Sequence, residues 1–139
     1  MNHTVKLALA CTAILTHALA RAGDLTVIVD DVKAAEGNLM IAVYNSSDTF
    51  LKTPSNATGT PAKTSDNKFV FKNLPEGDYA FAVYHDANSN GKMDKNLVGI
   101  PTEDYGFSNN AMGKMGPPRF DDAKFTVPAA GATVRVSLK

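Results

Sequence analysis

In six short runs of this chain every second residue is apolar, and nowhere does an apolar period of 3.6 residues last long enough for an ordinary helix. From Asp24 to Val29, Leu25, Val27 and Val29 share one face; from Asn38 to Tyr44, Leu39, Ile41 and Val43 do the same. Phe69 and Phe71 stand together between Lys68 and Lys72. Between Asp78 and His85, Tyr79, Phe81 and Val83 form one face, with Ala80, Ala82 and Tyr84 behind them. Lys124 to Val127 is a shorter run, and from Thr133 to Lys139 Val134, Val136 and Leu138 alternate with polar residues. Side chains of a strand alternate between two faces, so each run predicts a strand with one face toward a core.

Turn-forming residues separate the runs: Gly37, Pro75-Glu76-Gly77, Asn90-Gly91 and Pro128-Ala129-Ala130-Gly131. One helical turn is expected at Ser46 to Lys52, capped by Ser46 or Ser47, with Phe50 and Leu51 packing inward. The predicted fold is therefore all-β: an antiparallel Ig-like or transthyretin-like sandwich of about seven strands with one long loop.

The first 20 residues are of another kind. Lys6 closes a short positive head, Leu7 to Leu19 is mostly apolar or small, and Ala18-Leu19-Ala20 matches the pattern a signal peptidase accepts. The apolar run is shorter than the roughly 20 residues a spanning helix needs. Residues 1–20 are thus expected to be a signal peptide and residues 21–139 a single domain, periplasmic or secreted, without an integral membrane span after cleavage. Cleavage would remove Cys11, the one cysteine, and leave His85 as the one histidine. Thiol chemistry and cysteine-ligated zinc would go with it. Loss of Lys6 turns a balance of 14 bases and 14 acids into a net charge of about −1, with no basic run to attract nucleic acid.

The oxygens are concentrated in one place. His85-Asp86-Ala87-Asn88-Ser89-Asn90-Gly91-Lys92-Met93-Asp94 puts oxygen-bearing side chains at positions 1, 3, 5 and 9 of a loop that starts at Asp86, with glycine at position 6. Calcium takes six to eight oxygens, and such loops supply them from alternate residues around a glycine turn. The expected ligands are Asp86, Asn88, Asn90, the Lys92 carbonyl and Asp94. Leu97 stands where an EF-hand has its bidentate glutamate, so a remote acid or water must complete the shell; Glu103, Asp104, Asp121 and Asp122 are candidates. With two carboxylates in the loop, Ca2+ affinity is expected to be weak, on the order of 10⁻⁴ to 10⁻³ M. A plain hairpin, its asparagines bonded to their own backbone, is the competing reading.

His85 shares the parity of Tyr79, Phe81 and Val83, which suits a half-buried, hydrogen-bonded ring or a polar group at the rim of a ligand site. From Val98 to Phe120 neither period holds, and long connections of this kind inside a domain tend to be functional or folded against the core. His85, Tyr105, Phe107, Asn109 and Asn110 are the candidate ligand surface, with the two rings tucked beneath the loop as the alternative. A hydrolase would need Ser108 with His85, but Gly106-Phe107-Ser108-Asn109-Asn110 lacks the second glycine of a nucleophile elbow.

Leu74-Pro75-Glu76-Gly77-Asp78-Tyr79 resembles the turn and strand of transthyretin-like and carboxypeptidase-regulatory-like sandwiches. Together with H-D-x-N-x-N-G-x-x-D at His85 to Asp94, G-I-P at Gly99 to Pro101, Y-G-F-S-N-N at Tyr105 to Asn110 and G-P-P at Gly116 to Pro118, it resembles the bacterial domain-of-unknown-function family 2141. The resemblance implies a small exported protein and assigns it no activity. The functional expectation is an exported, non-enzymatic β-sandwich with a structural calcium loop. The alternative is a module that binds an envelope or extracellular glycan, peptide or protein.

Overall fold

A computed structural model describes residues 19–139, so the signal-peptide reading of residues 1–20 lies outside the described residues except for Leu19 and Ala20. Eight strands follow in order: β1 (Ala22–Asp30), β2 (Asn38–Tyr44), β3 (Asn56–Pro61), β4 (Asn67–Pro75), β5 (Gly77–Asp86), β6 (Tyr105–Phe107), β7 (Phe125–Val127) and β8 (Ala132–Ser137). A 3-10 turn at Ser108–Asn110 follows β6, and one turn of α-helix, α1 (Phe120–Ala123), precedes β7. Among the described residues no helix is long and apolar enough to cross a membrane.

The strands form two sheets. The smaller has the order β4-β1-β8; the larger runs β3-β2-β5-β6, with β7 also paired to β5. β6 and β7 divide β5 between them, since β7 pairs with Gly77 to Tyr79 and β6 with Ala82 to Tyr84. One pair departs from the expected antiparallel pattern: β8 runs parallel to β1, from Leu25 beside Ala132 to Asp30 beside Ser137. The chain crosses from the larger sheet to reach that edge, and a crossover permits parallel pairing where a tight hairpin would not.

Two strands lay outside the alternation. β3 reads Asn-Ala-Thr-Gly-Thr-Pro, is almost wholly exposed and pairs only along β2, so it has no buried face to leave an apolar signature. Its glycine and terminal proline suit an edge. β6, three residues long, is held within the long connection by its register with β5.

The main core lies between the sheets. Leu25, Val27 and Val29 of β1, Phe69 and Phe71 of β4 and Val136 of β8 face Leu39, Ile41 and Val43 of β2 and Tyr79, Phe81 and Val83 of β5. The Tyr79 hydroxyl donates to the Pro75 carbonyl at 2.7 Å, closing the Leu74-to-Tyr79 corner. A second cluster covers one end of the larger sheet's outer face: Tyr44, Ala80 and Phe107 from the strands, Phe120 and Ala123 from α1, and Phe50. The expected turn is there, with Ser46 accepting the Phe50 amide at its carbonyl and the Thr49 amide at its hydroxyl. Phe50 packs inward against Tyr44 and Phe120, whereas Leu51 turns outward at positive φ.

Burial and exposure set the expected energetics. Phe81→Ala should lower the unfolding free energy by about 3–5 kcal/mol in urea, because it empties a fully buried ring site. Arg135→Ala breaks a bidentate pair with Asp30 that is open to solvent and should cost below about 1 kcal/mol. Equal costs for the two variants would contradict this division of the core.

Candidate functional site

The loop begins where β5 ends. Asp86 has the parity of Ala82 and Tyr84, so its carboxylate stands on the outer face, yet it is only 1% exposed. One oxygen accepts the Asn90 amide at 3.1 Å and the other accepts the Gly91 amide at 2.8 Å. A carboxylate has about four acceptor positions, so these bonds leave capacity unused. Gly91 takes φ of 76° at the turn, and Ser89 also lies in the left-handed region. From outside, Gly37 clamps the loop's base: a Cβ there would collide with the carbonyl oxygens of Asp86 and Ala87. The Asn38 side chain donates to Ser89 Oγ at 3.1 Å.

Around the turn the remaining side chains converge on Asp94. Asn88 Nδ2 donates to one Asp94 oxygen at 2.7 Å, and Asn90 Nδ2 approaches both at 2.8 and 3.0 Å. The Asn90 oxygen accepts the Lys92 amide, and the Asn88 oxygen accepts the Asn90 amide, as a hairpin of asparagine turns would have them. Of the four remote acids, Glu103 is beside the loop, accepting the Asp94 amide at 3.0 Å. Asp104 pairs with Lys33, and Asp121 and Asp122 pair with Lys124 and Arg119 around α1. Among the described residues no group of three His, Cys, Asp or Glu side chains is placed to hold a metal, so a cation here would depend on asparagine and backbone oxygens.

Tyr84 senses the negative charge of this region. Burial first, and then Asp86, Glu103 and Asp94, push its phenol above the ordinary 10.0. The folded state thus favours the neutral phenol; the stability it contributes is present below pH 10 and is lost as pH rises through the raised value.

The ligand-surface candidates divide. His85 is 5% exposed on the inner face opposite Leu39, its Nε2 2.6 Å from the Glu36 carbonyl. Tyr105 and Phe107 lie on the outer face, edge to face with centroids 5.8 Å apart. The Asn109 amide donates to the Asp122 and Lys124 carbonyls, and Asn110 accepts the Ser137 amide, so both brace the fold. Ser108 is fully buried, its hydroxyl accepting the Phe81 amide at 3.0 Å. Four residues of β5, roughly 13 Å, separate Phe81 from His85, which puts a Ser108-His85 hydrogen bond out of reach.

The two rings line a cavity of about 940 Å³ over the outer face of the larger sheet. Its floor is a row of small residues, since Ala57, Ala42 and Ala82 are cross-strand neighbours on β3, β2 and β5, ending at Phe107 on β6. The next row holds Gly59, Met40, Tyr84 and Tyr105. Two stretches of the long connection, around Met93 to Pro101 and Met112 to Pro117, form the other walls. All four methionines after Met1 line the cavity, a convergence that spacing along the chain did not reveal.

Fold and site define a two-sheet all-β protein with an oxygen-rich loop at the end of its central strand and an apolar cavity beside it. The family model described as "Uncharacterized protein conserved in bacteria (DUF2141)" matches residues 27–135, and the chain belongs to that family. No curated protein matches it. No solved structure matches it either.

In a spectrophotometric titration, Tyr84→Phe should remove one tyrosinate transition that lies above that of free tyrosine. Asp94→Asn should move the same transition downward, because it removes a nearby negative charge. A Tyr84 transition at or below the free value would contradict the burial of the phenol, and no movement in Asp94→Asn would contradict the placement of that carboxylate.

Proposed function

We propose that the protein is an exported, non-enzymatic β-sandwich whose Asp86 to Asp94 loop binds calcium with a mainly structural role. The observation that carries this reading is the meeting of Asn88, Asn90 and Asp94 side chains within 2.7 to 3.0 Å, beside a buried Asp86 carboxylate with acceptor capacity left. Amide oxygen and nitrogen ends exchange by a half-turn of the side chain. Such turns would aim amide oxygens where the two amides now meet Asp94. The Lys92 carbonyl and water would fill the rest of a calcium shell. Neutralising the loop's own carboxylates, Asp86 and Asp94, would relieve the repulsion between them and fix the stretch from Met93 to Pro101. Export rests on the apolar, A-x-A-ended N-terminal sequence.

A second reading, a binding module, is favoured by the apolar cavity against Tyr105 and Phe107. Glycan recognition would call for free amides beside the rings, whereas Asn109 and Asn110 are bonded to backbone. An apolar ligand therefore suits the cavity better.

A ligand that binds only the folded state raises the melting temperature. Calcium at ten to a hundred times its Kd should raise Tm by roughly 5–10 °C, and Asp94→Ala, which spares the buried Asp86, should lose most of the rise. Terbium should luminesce when excited through tyrosine, with Tyr84→Phe dimming the signal while calcium still raises Tm, in a chain that has no tryptophan. An unchanged Tm at about 10 mM calcium, or an equal rise in Asp94→Ala, would overturn the proposal.

A further inference from the structure

The cavity over the larger sheet has a shape its residues impose. Ala57, Ala42 and Ala82 form a trough across three strands, because small side chains stand side by side where the rows beyond carry Met40, Tyr84 and Tyr105 on one side and Tyr44 on the other. A row of alanines on the outer face leaves depth that a row of leucines would fill. At about 940 Å³ the space is within the range of small-molecule sites, which are mostly apolar with a few polar groups.

The walls are as unusual as the floor. Val98 is 78% exposed and Met115 103%, and Ile100 and Met112 are also largely uncovered, although all four border the cavity. Apolar side chains gathered at one place on a surface mark a binding site more often than chance exposure. Methionine is the side chain best able to adapt to flexible apolar ligands, and four border this space. One charged residue, Lys95, is in the lining, and among the described residues its ammonium makes no ion pair. The nearby acids accept amide donors rather than this ammonium: Asp86 the Gly91 amide, Asp94 the Asn90 side chain and Glu103 the Asp94 amide.

We infer that the cavity binds a single-chain anionic amphiphile of the fatty-acid type, its hydrocarbon chain along the alanine trough and its carboxylate toward Lys95. The inference deepens the binding-module reading and rests on it, but is independent of calcium. The apolar lining suits a hydrocarbon chain, and Lys95, the one charged residue in the lining, selects the sign of its head.

The test uses the protein of residues 21–139 with two fluorescent reporters: cis-parinaric acid, a fatty acid, and Nile red, an uncharged apolar dye. Both should brighten on binding, and dodecanoate should displace them better than dodecanol or dodecylamine. Lys95→Gln should weaken dodecanoate about threefold to fivefold and leave dodecanol unchanged. Ala42→Leu, which fills the trough without touching the mouth, should abolish binding of both reporters while Tm stays level or rises. Nile red binding that Ala42→Leu abolishes, with dodecylamine competing as well as dodecanoate, would overturn the anionic ligand and leave a binding module. Failure of both reporters to bind would overturn the inference and the binding module together. Adhesion to phosphatidylcholine vesicles without binding of the monomeric reporters would also overturn the inference, giving the exposed apolar walls to a membrane surface instead.

Discussion

A strand inside a sheet has two faces, and β5 has to satisfy both. Its inner face, Tyr79, Phe81, Val83 and His85, closes the main core against β1 and β4. Its outer face carries Ala80 into the second cluster, Ala82 into the cavity floor and Tyr84 into the cavity wall, then ends at Asp86. A slip of one residue would exchange these sets, placing aromatic rings in the trough and a carboxylate in the core. β2, β6 and β7 all take their register from this strand, so its parity governs where the core, the cavity and the loop lie relative to one another.

Asp86 links the strand to the chemistry. A buried carboxylate is costly unless hydrogen bonded, and here the Asn90 and Gly91 amides meet that need by folding the loop back over it. That bend brings Asn88, Asn90 and Asp94 together and sends the chain toward Glu103 and the cavity wall. Loop and cavity thus share the stretch from Met93 to Pro101. A cation held by the first would steady one side of the second.

Most of the sandwich was legible because its strands have one buried face. Leu25 to Val29, Leu39 to Val43 and Tyr79 to Val83 announce themselves by alternation, and the structure extends each by only a few residues. β3 was hidden because Asn56 to Pro61 buries no face, and β6 because its three residues are too few to show a period. The parallel pairing of β8 is a tertiary choice that no local pattern records. In the loop, the spacing of Asp86, Asn88, Asn90 and Asp94 marked the residues that meet. The parity of His85 pointed to the inner face. The cavity escaped notice because its makers, Ala42, Ala57, Ala82 and four methionines, lie far apart in sequence and look ordinary one at a time. Ala42 and Ala82 at outward positions were the available signal, since small residues there leave space only when neighbouring strands agree.

The central claim is that a cation in the Asp86 to Asp94 loop braces the stretch from Met93 to Pro101. Amide hydrogen exchange with and without calcium tests it most directly. Exchange should slow from Asn88 to Ile100 and stay unchanged in β1, β4 and β8, whose protection comes from the main core. Equal exchange across the loop in calcium and in chelator, or slowing spread evenly over both sheets, would contradict the account.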